Sequence, residues 1–357
     1  MDSQHIVAES WELLQRMIAI PSVSRNEKEL ADMLESFLGE KGFTVNRLHN
    51  NIWIENGADE TLPRVLLNSH IDTVKPVSGW SYDPFTPLVE GEKLTGLGAN
   101  DAAASVVSLL AAFRILTEKK LPYRLVFLAS AEEEISGVAG IESVLSTLGK
   151  FDLGIVGEPT QMQLAVAEKG LLVIDAEAIG IAGHAARNEG VNAIYKALDD
   201  IAAIRAFDFG QQSEWLGAVK ATVTQIDAGT QHNVVPDCCK FVIDVRTTDC
   251  VKNEEAFAAL KKVVSSHLVA RSFRLNASGI DNNHPVVKCA QQMGIRLFGS
   301  PTLSDQALMS FPSVKIGPGD SARSHHANEY ILRSEIEQAV TVYCQLLSNL
   351  EMNIDIS

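Results

Sequence analysis

Several features that would assign a role by composition are scarce in this chain. Its five cysteines, Cys238, Cys239, Cys250, Cys289 and Cys344, are odd in number and show no Cys-x-x-Cys spacing, and the adjacent pair lies inside a strand-like run. That pattern excludes a disulfide framework and predicts reduced thiols in a cytoplasmic setting. Basic residues are also short, 30 Lys and Arg against 45 Asp and Glu, and the net charge of -15 is spread along the chain instead of sitting in tails. Nucleic acid and anionic membrane surfaces are therefore excluded as partners drawn in at long range. No apolar run approaches the roughly 20 residues of a spanning helix. The N-terminus opens with an acid and places Ile6, Leu13, Leu14, Met17 and Ile18 at helical spacing, so it reads as an amphipathic helix and not as a signal peptide. Aromatics are few, 6 %, but 46 % of the 357 residues are apolar. This is the profile of a soluble globular protein of about two domains.

Chemistry concentrates between Val65 and Glu158. Three apolar runs there read as buried parallel strands, and each is followed at once by His70 and Asp72, by Glu132 to Glu134, or by Glu158. In a fourth cluster Asp101 opens the helix-like run ASVVSLLAAF. Ligands of open α/β sheets gather at the carboxyl ends of strands. One imidazole and several carboxylates converging there predict a metal site and not a core. Strand and amphipathic helix alternate over residues 64–170, as a doubly wound sheet requires. Composition changes near Gly170. The order then becomes strand (LLVIDAEAIG), helix (GVNAIYKALDDIAAIRAF), strand (GAVKATVTQID), strand (CCKFVIDVRTT), helix (NEEAFAALKKVVSSHLV) and strand (SFRLNASGI), the split βαβ pattern of a ferredoxin-like unit. After His284 and Pro285 the alternation resumes, through SVKIGPGD, to a last helix over residues 334–350. The expected architecture is α/β, a doubly wound mixed-sheet domain in two parts (1–170 and 281–357) that carries an inserted α+β ferredoxin-like domain (171–280).

Singly, the site residues are weak signals. His70 alone would be read as a satisfied core histidine, the three glutamates as a solvated acidic run at a helix start, and His325 with His326 as a solvated loop. In order and spacing, however, SHIDT (69–73), GANDAAAS (98–105), AEEEISG (131–137), GEPT (157–160), GHAARNEGVNAI (183–194), HNVVPD (232–237) and HHANEYI (325–331) form a recognisable set. Over nearly its whole length the chain resembles the co-catalytic zinc aminoacylase and carboxypeptidase family, which includes acetylornithine deacetylase, succinyl-diaminopimelate desuccinylase and carboxypeptidase G. The resemblance is nearest to the acetylornithine deacetylase branch.

That resemblance implies a catalytic parent domain, a lid and dimerisation insert, and two divalent metal ions, zinc with cobalt as the alternative. His70, Asp101 and Glu158 would hold one ion, and Asp101, Glu134 and His325 the other. Such pairs lie about 3.5–4 Å apart, share a bridging carboxylate and polarise a scissile carbonyl; mixed imidazole and carboxylate ligation suits zinc. Glu133 is implied as the general base, with Glu132 in the place of the family's usual Asp. Asp72, two residues past His70 on an extended segment, lies on the same side and is expected to accept the imidazole's other proton. By the same resemblance His184 stabilises the oxyanion in a neighbouring subunit's site. Asn233 and Arg246 would contact the substrate carboxylate, which suits the planar fork of Arg. The glycines of GPGD (317–320) would shape a turn against the substrate. The chain departs from the family pattern at Ala102, Ala103 and Ala104, where relatives have a polar pair. A cis peptide bond is implied between Asp101 and Ala102.

The implied activity is metal-dependent removal of an acyl group from a small N-acyl amino acid. N-acetylornithine, an intermediate of arginine biosynthesis, comes first, with N-succinylornithine and N-acetylcitrulline as variants. Desuccinylation of succinyl-diaminopimelate and peptide hydrolysis are alternatives, and so is a metal-binding assembly module without catalysis. Glu133 and the full ligand set argue against the last. No nucleic-acid or membrane partner is expected. A homodimer is, because the inserted unit would otherwise expose a strand edge.

Overall fold

The computed structural model describes residues 3–57 and 59–352. In chain order α1 (Ser3–Ile18), α2 (Lys28–Glu40), β1 (Asn46–Leu48), β2 (Asn51–Glu55), β3 (Arg64–His70), α3 (Ala104–Leu116), β4 (Arg124–Ser130), α4 (Ile141–Leu148), β5 (Leu153–Val156) and β6 (Leu164–Glu168) come first. They are followed by β7 (Leu172–Ile179), α5 (Ala193–Ala206), β8 (Lys220–Ala228), β9 (Cys238–Arg246), α6 (Asn253–Leu260) and β10 (His267–Ala270). Last come α7 (Pro285–Gln292), β11 (Ser313–Lys315) and α8 (Arg333–Asn349). The chain divides into two compact units, residues 1–166, 280–298 and 304–357 in the first and 167–279 with 299–303 in the second.

The first unit is built on a mixed sheet in the order β1-β2-β4-β3-β5-β11-β6. Its four central strands are parallel and its margins antiparallel. Central parallel strands are covered on both faces, which is why they read as unbroken apolar runs. Leu66, Val126 and Leu128 pack on Ile141 and Val144 of α4, and on the other face Phe127 meets Phe113 of α3 at a ring-centroid distance of 6.4 Å. Helix α3 has no polar face because α1 and α8 both pack against it. The apolar stretch Ala99–Leu116 is 89 % buried, so its composition belongs to a core. β3 leads through α3 to β4 on one side of it, β4 leads through α4 across to β5 on the other, and the carboxyl ends of these three parallel strands meet at one point of the sheet edge.

The second unit is a four-stranded antiparallel sheet in the order β8-β9-β7-β10. Alternate residues Leu172, Ile174, Ala176 and Ala178 of β7, with Phe241, Ile243 and Val245 of β9, form its core with Ala193, Ala197 and Ile204 of α5 and Ala256 and Leu260 of α6. The Asn192 side chain caps α5 by accepting the Ile194 amide. This is the ferredoxin-like split βαβ order, with one correction to the expected elements. The last strand is His267–Ala270 and not residues 272–280, and the helix before it stops at Leu260. The reason is Asp200 on α5, whose carboxylate accepts the amide N–H of Ser265 and Ser266. That contact draws residues expected to be helical into an extended entry to β10. Of the segment expected to form the strand, Ser278 and Gly279 pair with Glu168 and Ala167.

Candidate metal centre

His70, the last residue of β3, is 1 % exposed. Its Nε2 lies 3.3 Å from Asp101 Oδ1 and 3.7 Å from Glu158 Oε1. Glu158 follows β5, and Asp101 sits on the turn that leads into α3. The peptide bond between Asp101 and Ala102 is cis, as the resemblance implies. His325 Nε2 lies 3.0 Å from Glu134 Oε2 and 3.5 Å from Asp101 Oδ2. Asp101 thus faces His70 with one oxygen and His325 with the other. Within His70, Asp101 and Glu158, and within Asp101, Glu134 and His325, the donor atoms lie within 4.8 Å of one another. Two imidazole and carboxylate triads joined through one carboxylate are a donor set that fits a pair of divalent cations. Glu133 Oε2 approaches His70 Nε2 at 3.9 Å. Glu132 turns away on a left-handed backbone (φ 56°) and accepts the Ala139 amide.

Asp72 does more than sequence alone indicated. The His70 Nδ1 lies 2.9 Å from the Asp72 carbonyl oxygen and 3.4 Å from its carboxylate. The carboxylate itself accepts the Ser24 hydroxyl and the amide N–H of both Glu133 and Glu134, at 2.7, 3.0 and 3.1 Å. One acid therefore orients the His70 ring and also the turn that carries two glutamates of the site. Sequence reasoning missed two further buried carboxylates. Asp305 accepts from Asn68 and Ser130, on the strands leading to His70 and to Glu132. Glu329 accepts the amides of Asn100 and Asp101. Glu329 stands inside the HHANE motif, but no local signal marks Asp305.

Burial, and after it the crowding of acids, sets the electrostatics. Burial raises Glu133 well above the ordinary carboxylate range, with the charges of Glu158, Asp305 and Glu134 adding to it. Glu158 rises to about 8, through burial and then the Asp101 charge. Asp305 rises to about 6 and Glu329 to about 8, both chiefly through burial. For His70, burial opposes the charged form, but hydrogen bonds to Asp101 and Asp72 outweigh it and raise the ring well above its usual value. The hydrogen bond to Glu134 lifts His325 to about 9. The site's carboxylates outnumber its two imidazoles, an imbalance that bound divalent cations would relieve.

The remaining expected residues lie in the second unit. His184 and Val234 are paired on a two-residue ladder, the Asn233 carbonyl accepts the Ala185 amide, and the exposed His184 ring accepts the Ala186 amide. Arg246, at the end of β9, directs its fork at Asp244 two residues back, with contacts of 2.8 and 3.1 Å. All five cysteines are free.

A doubly wound sheet with an inserted ferredoxin-like unit, and with His70 and Glu158 at its strand ends beside Asp101, Glu134 and His325, defines an α/β class of protein with a candidate metal centre. The sequence profile of peptidase family M20/M25/M40 matches residues 66–349, and the chain belongs to that family. It is similar to succinyl-diaminopimelate desuccinylase of Xylella fastidiosa (26 % identical, over 96 % of this chain and 99 % of that one). It is also similar to acetylornithine deacetylase of Proteus mirabilis (25 %, over 95 % and 96 %). Among solved structures, aminopeptidase PepT from Bacillus cereus shares the fold, with a TM-score of 0.78 at 20 % identity over 98 % of this chain and 99 % of that one. The protein is an amide hydrolase of this family.

Proposed function

We propose that the protein hydrolyses the amide of a small N-acyl amino acid, N-acetylornithine foremost, at a centre of two divalent cations held by His70, Asp101 and Glu158 and by Asp101, Glu134 and His325. The observation that carries this reading is the division of the two Asp101 oxygens between His70 and His325, with Glu133 beside them. Zinc or cobalt bound there would supply the positive charge that polarises the scissile carbonyl and acidifies an attacking water. The chain's own residues do the rest. Glu133 takes one proton from the water as its oxygen bonds to the carbonyl carbon. It returns that proton to the amine nitrogen as the C–N bond breaks, so a carboxylic acid and a free amine leave. Asp72 holds the Glu133 and Glu134 amides and the His70 ring in place. In this reading His184 of the partner subunit stabilises the oxyanion, and Asn233 and Arg246 receive the substrate carboxylate. Arg246 would then share its guanidinium between substrate and Asp244. The setting is a cytoplasmic homodimer serving arginine biosynthesis.

A second reading, desuccinylation of succinyl-diaminopimelate, is favoured by the similarity to the Xylella desuccinylase at much the same identity. A panel of N-acetyl and N-succinyl amino acids and dipeptides, assayed for released amine with and without chelator, separates the readings. The expected result is chelator-sensitive release from N-acetylornithine, restored by zinc or cobalt. Release from N-succinyl substrates alone would select the second reading, and cleavage of dipeptides alone would reject both.

A further inference from the structure

Three buried carboxylates outside the proposed donor set brace the segments that carry it, and Glu329 is placed to control one cation site more than the other. Its side chain is in a residue 2 % exposed, and its Oε1 accepts both the Asn100 amide at 2.8 Å and the Asp101 amide at 2.9 Å. Its own carbonyl accepts the Gly96 amide at 3.0 Å. A second grip comes from Asn100. Its Oδ1 accepts the Asp320 amide at 3.0 Å, and its Nδ2 donates to the Asp320 carbonyl at 3.0 Å and to the Ser324 hydroxyl at 3.1 Å. Residues 320–329 therefore hold the turn at residues 96–101 from both ends, and His325 lies on the segment between the two grips. His325 needs that support, because its side chain is 54 % exposed while those of His70, Asp101, Glu134 and Glu158 are 1–13 % exposed.

We infer that Glu329 is a positioning residue that sets the separation of Asp101 from His325, and with it the affinity of the Asp101, Glu134 and His325 site for its cation. The inference rests on the two-cation reading above. Removing the Glu329 acceptor frees two amides beneath Asp101 and releases the segment carrying His325. The His70 and Glu158 donors stand at the ends of packed strands and stay in place, so the first site is weakened less. Supporting partners of metal ligands typically change affinity by roughly 10–100-fold.

The test is zinc titration of the full-length protein in competition with a chromophoric chelator, paired with the visible spectrum of the cobalt-loaded protein. Glu329→Ala is expected to weaken the second cation by roughly 10–100-fold and the first by much less, so that near-saturating zinc leaves close to one ion per chain. Glu329→Gln keeps an oxygen that can accept both amides and is expected to restore two-ion binding. If the alanine variant does not fold, Glu329→Asp serves, because its shorter acceptor should weaken the second site by roughly tenfold. Two ions bound with unchanged affinity and spectrum in the alanine or aspartate variant would overturn the inference and leave the centre standing, as would equal losses in the glutamine and alanine variants. Full activity of the metal-free wild-type protein would instead overturn the reading beneath it.

Discussion

At the scale of single residues, Glu133 and Glu134 are neighbours with different work to do. Both amides are held by Asp72, yet Glu134 turns its carboxylate to His325 and Asp101 while Glu133 lies beside His70. In the proposed reaction Glu133 moves a proton and Glu134 holds a cation, so isosteric loss of the Glu133 charge should separate the two roles. Glu133→Gln is expected to lower kcat by roughly 10²–10⁴-fold while metal content by atomic emission stays at the wild-type value. Activity surviving that change would remove Glu133 as the base.

At the scale of elements, α3 bears the greatest packing demand. It runs directly from the Asp101 turn and is buried nearly all round, with Phe113 fully enclosed between Phe43 and Phe127 at ring-centroid distances of 5.8 and 6.4 Å. Truncating such a ring leaves a cavity that a close-packed core fills only in part. Phe113→Ala is expected to cost about 3–5 kcal/mol, visible as a lower urea midpoint with an unchanged slope. A loss below about 1 kcal/mol would mean that the surroundings collapse into the space. Close approach also fixes the turn before α3. Gly98 has φ 77°, and a Cβ there would stand 2.6 Å from Thr73 Cγ2, which accounts for a glycine three residues before Asp101.

At the scale of the whole molecule, the second unit carries apolar surface of its own. Tyr195 and Leu198 on α5 are 68 % and 51 % exposed, and Ile226 on the edge strand β8, against which α5 packs, is 54 % exposed. Among the described residues β8 has a strand partner on one side only, and such an edge beside exposed apolar side chains is a surface that association covers. The proposed dimer is expected to use it. Leu198→Glu together with Ile226→Glu should yield a monomer in sedimentation velocity, and hydrolysis should fall with it if His184 acts across subunits. A double variant that sediments with the wild-type protein would place the contact elsewhere, and an active monomer would exclude the role across subunits.

Apart from His325, which only the resemblance of its motif marks, the sequence by itself determined the alternation of strand and helix, the ferredoxin-like insert and the positions of one imidazole and several acids at strand ends. These follow from local periodicity and from the chemistry of single side chains, so neighbouring residues suffice to read them. Only the tertiary structure decided where β10 begins, because Asp200 on a different element captures the Ser265 and Ser266 amides. It also decided that Asp72 holds the glutamate turn, that Asp305 reaches Asn68 across 237 positions, and that Glu329 reaches Asp101 across 228. A buried carboxylate takes whatever donor the packing brings within about 3 Å. That choice depends on the arrangement of all the elements together, and no stretch of neighbouring residues records it.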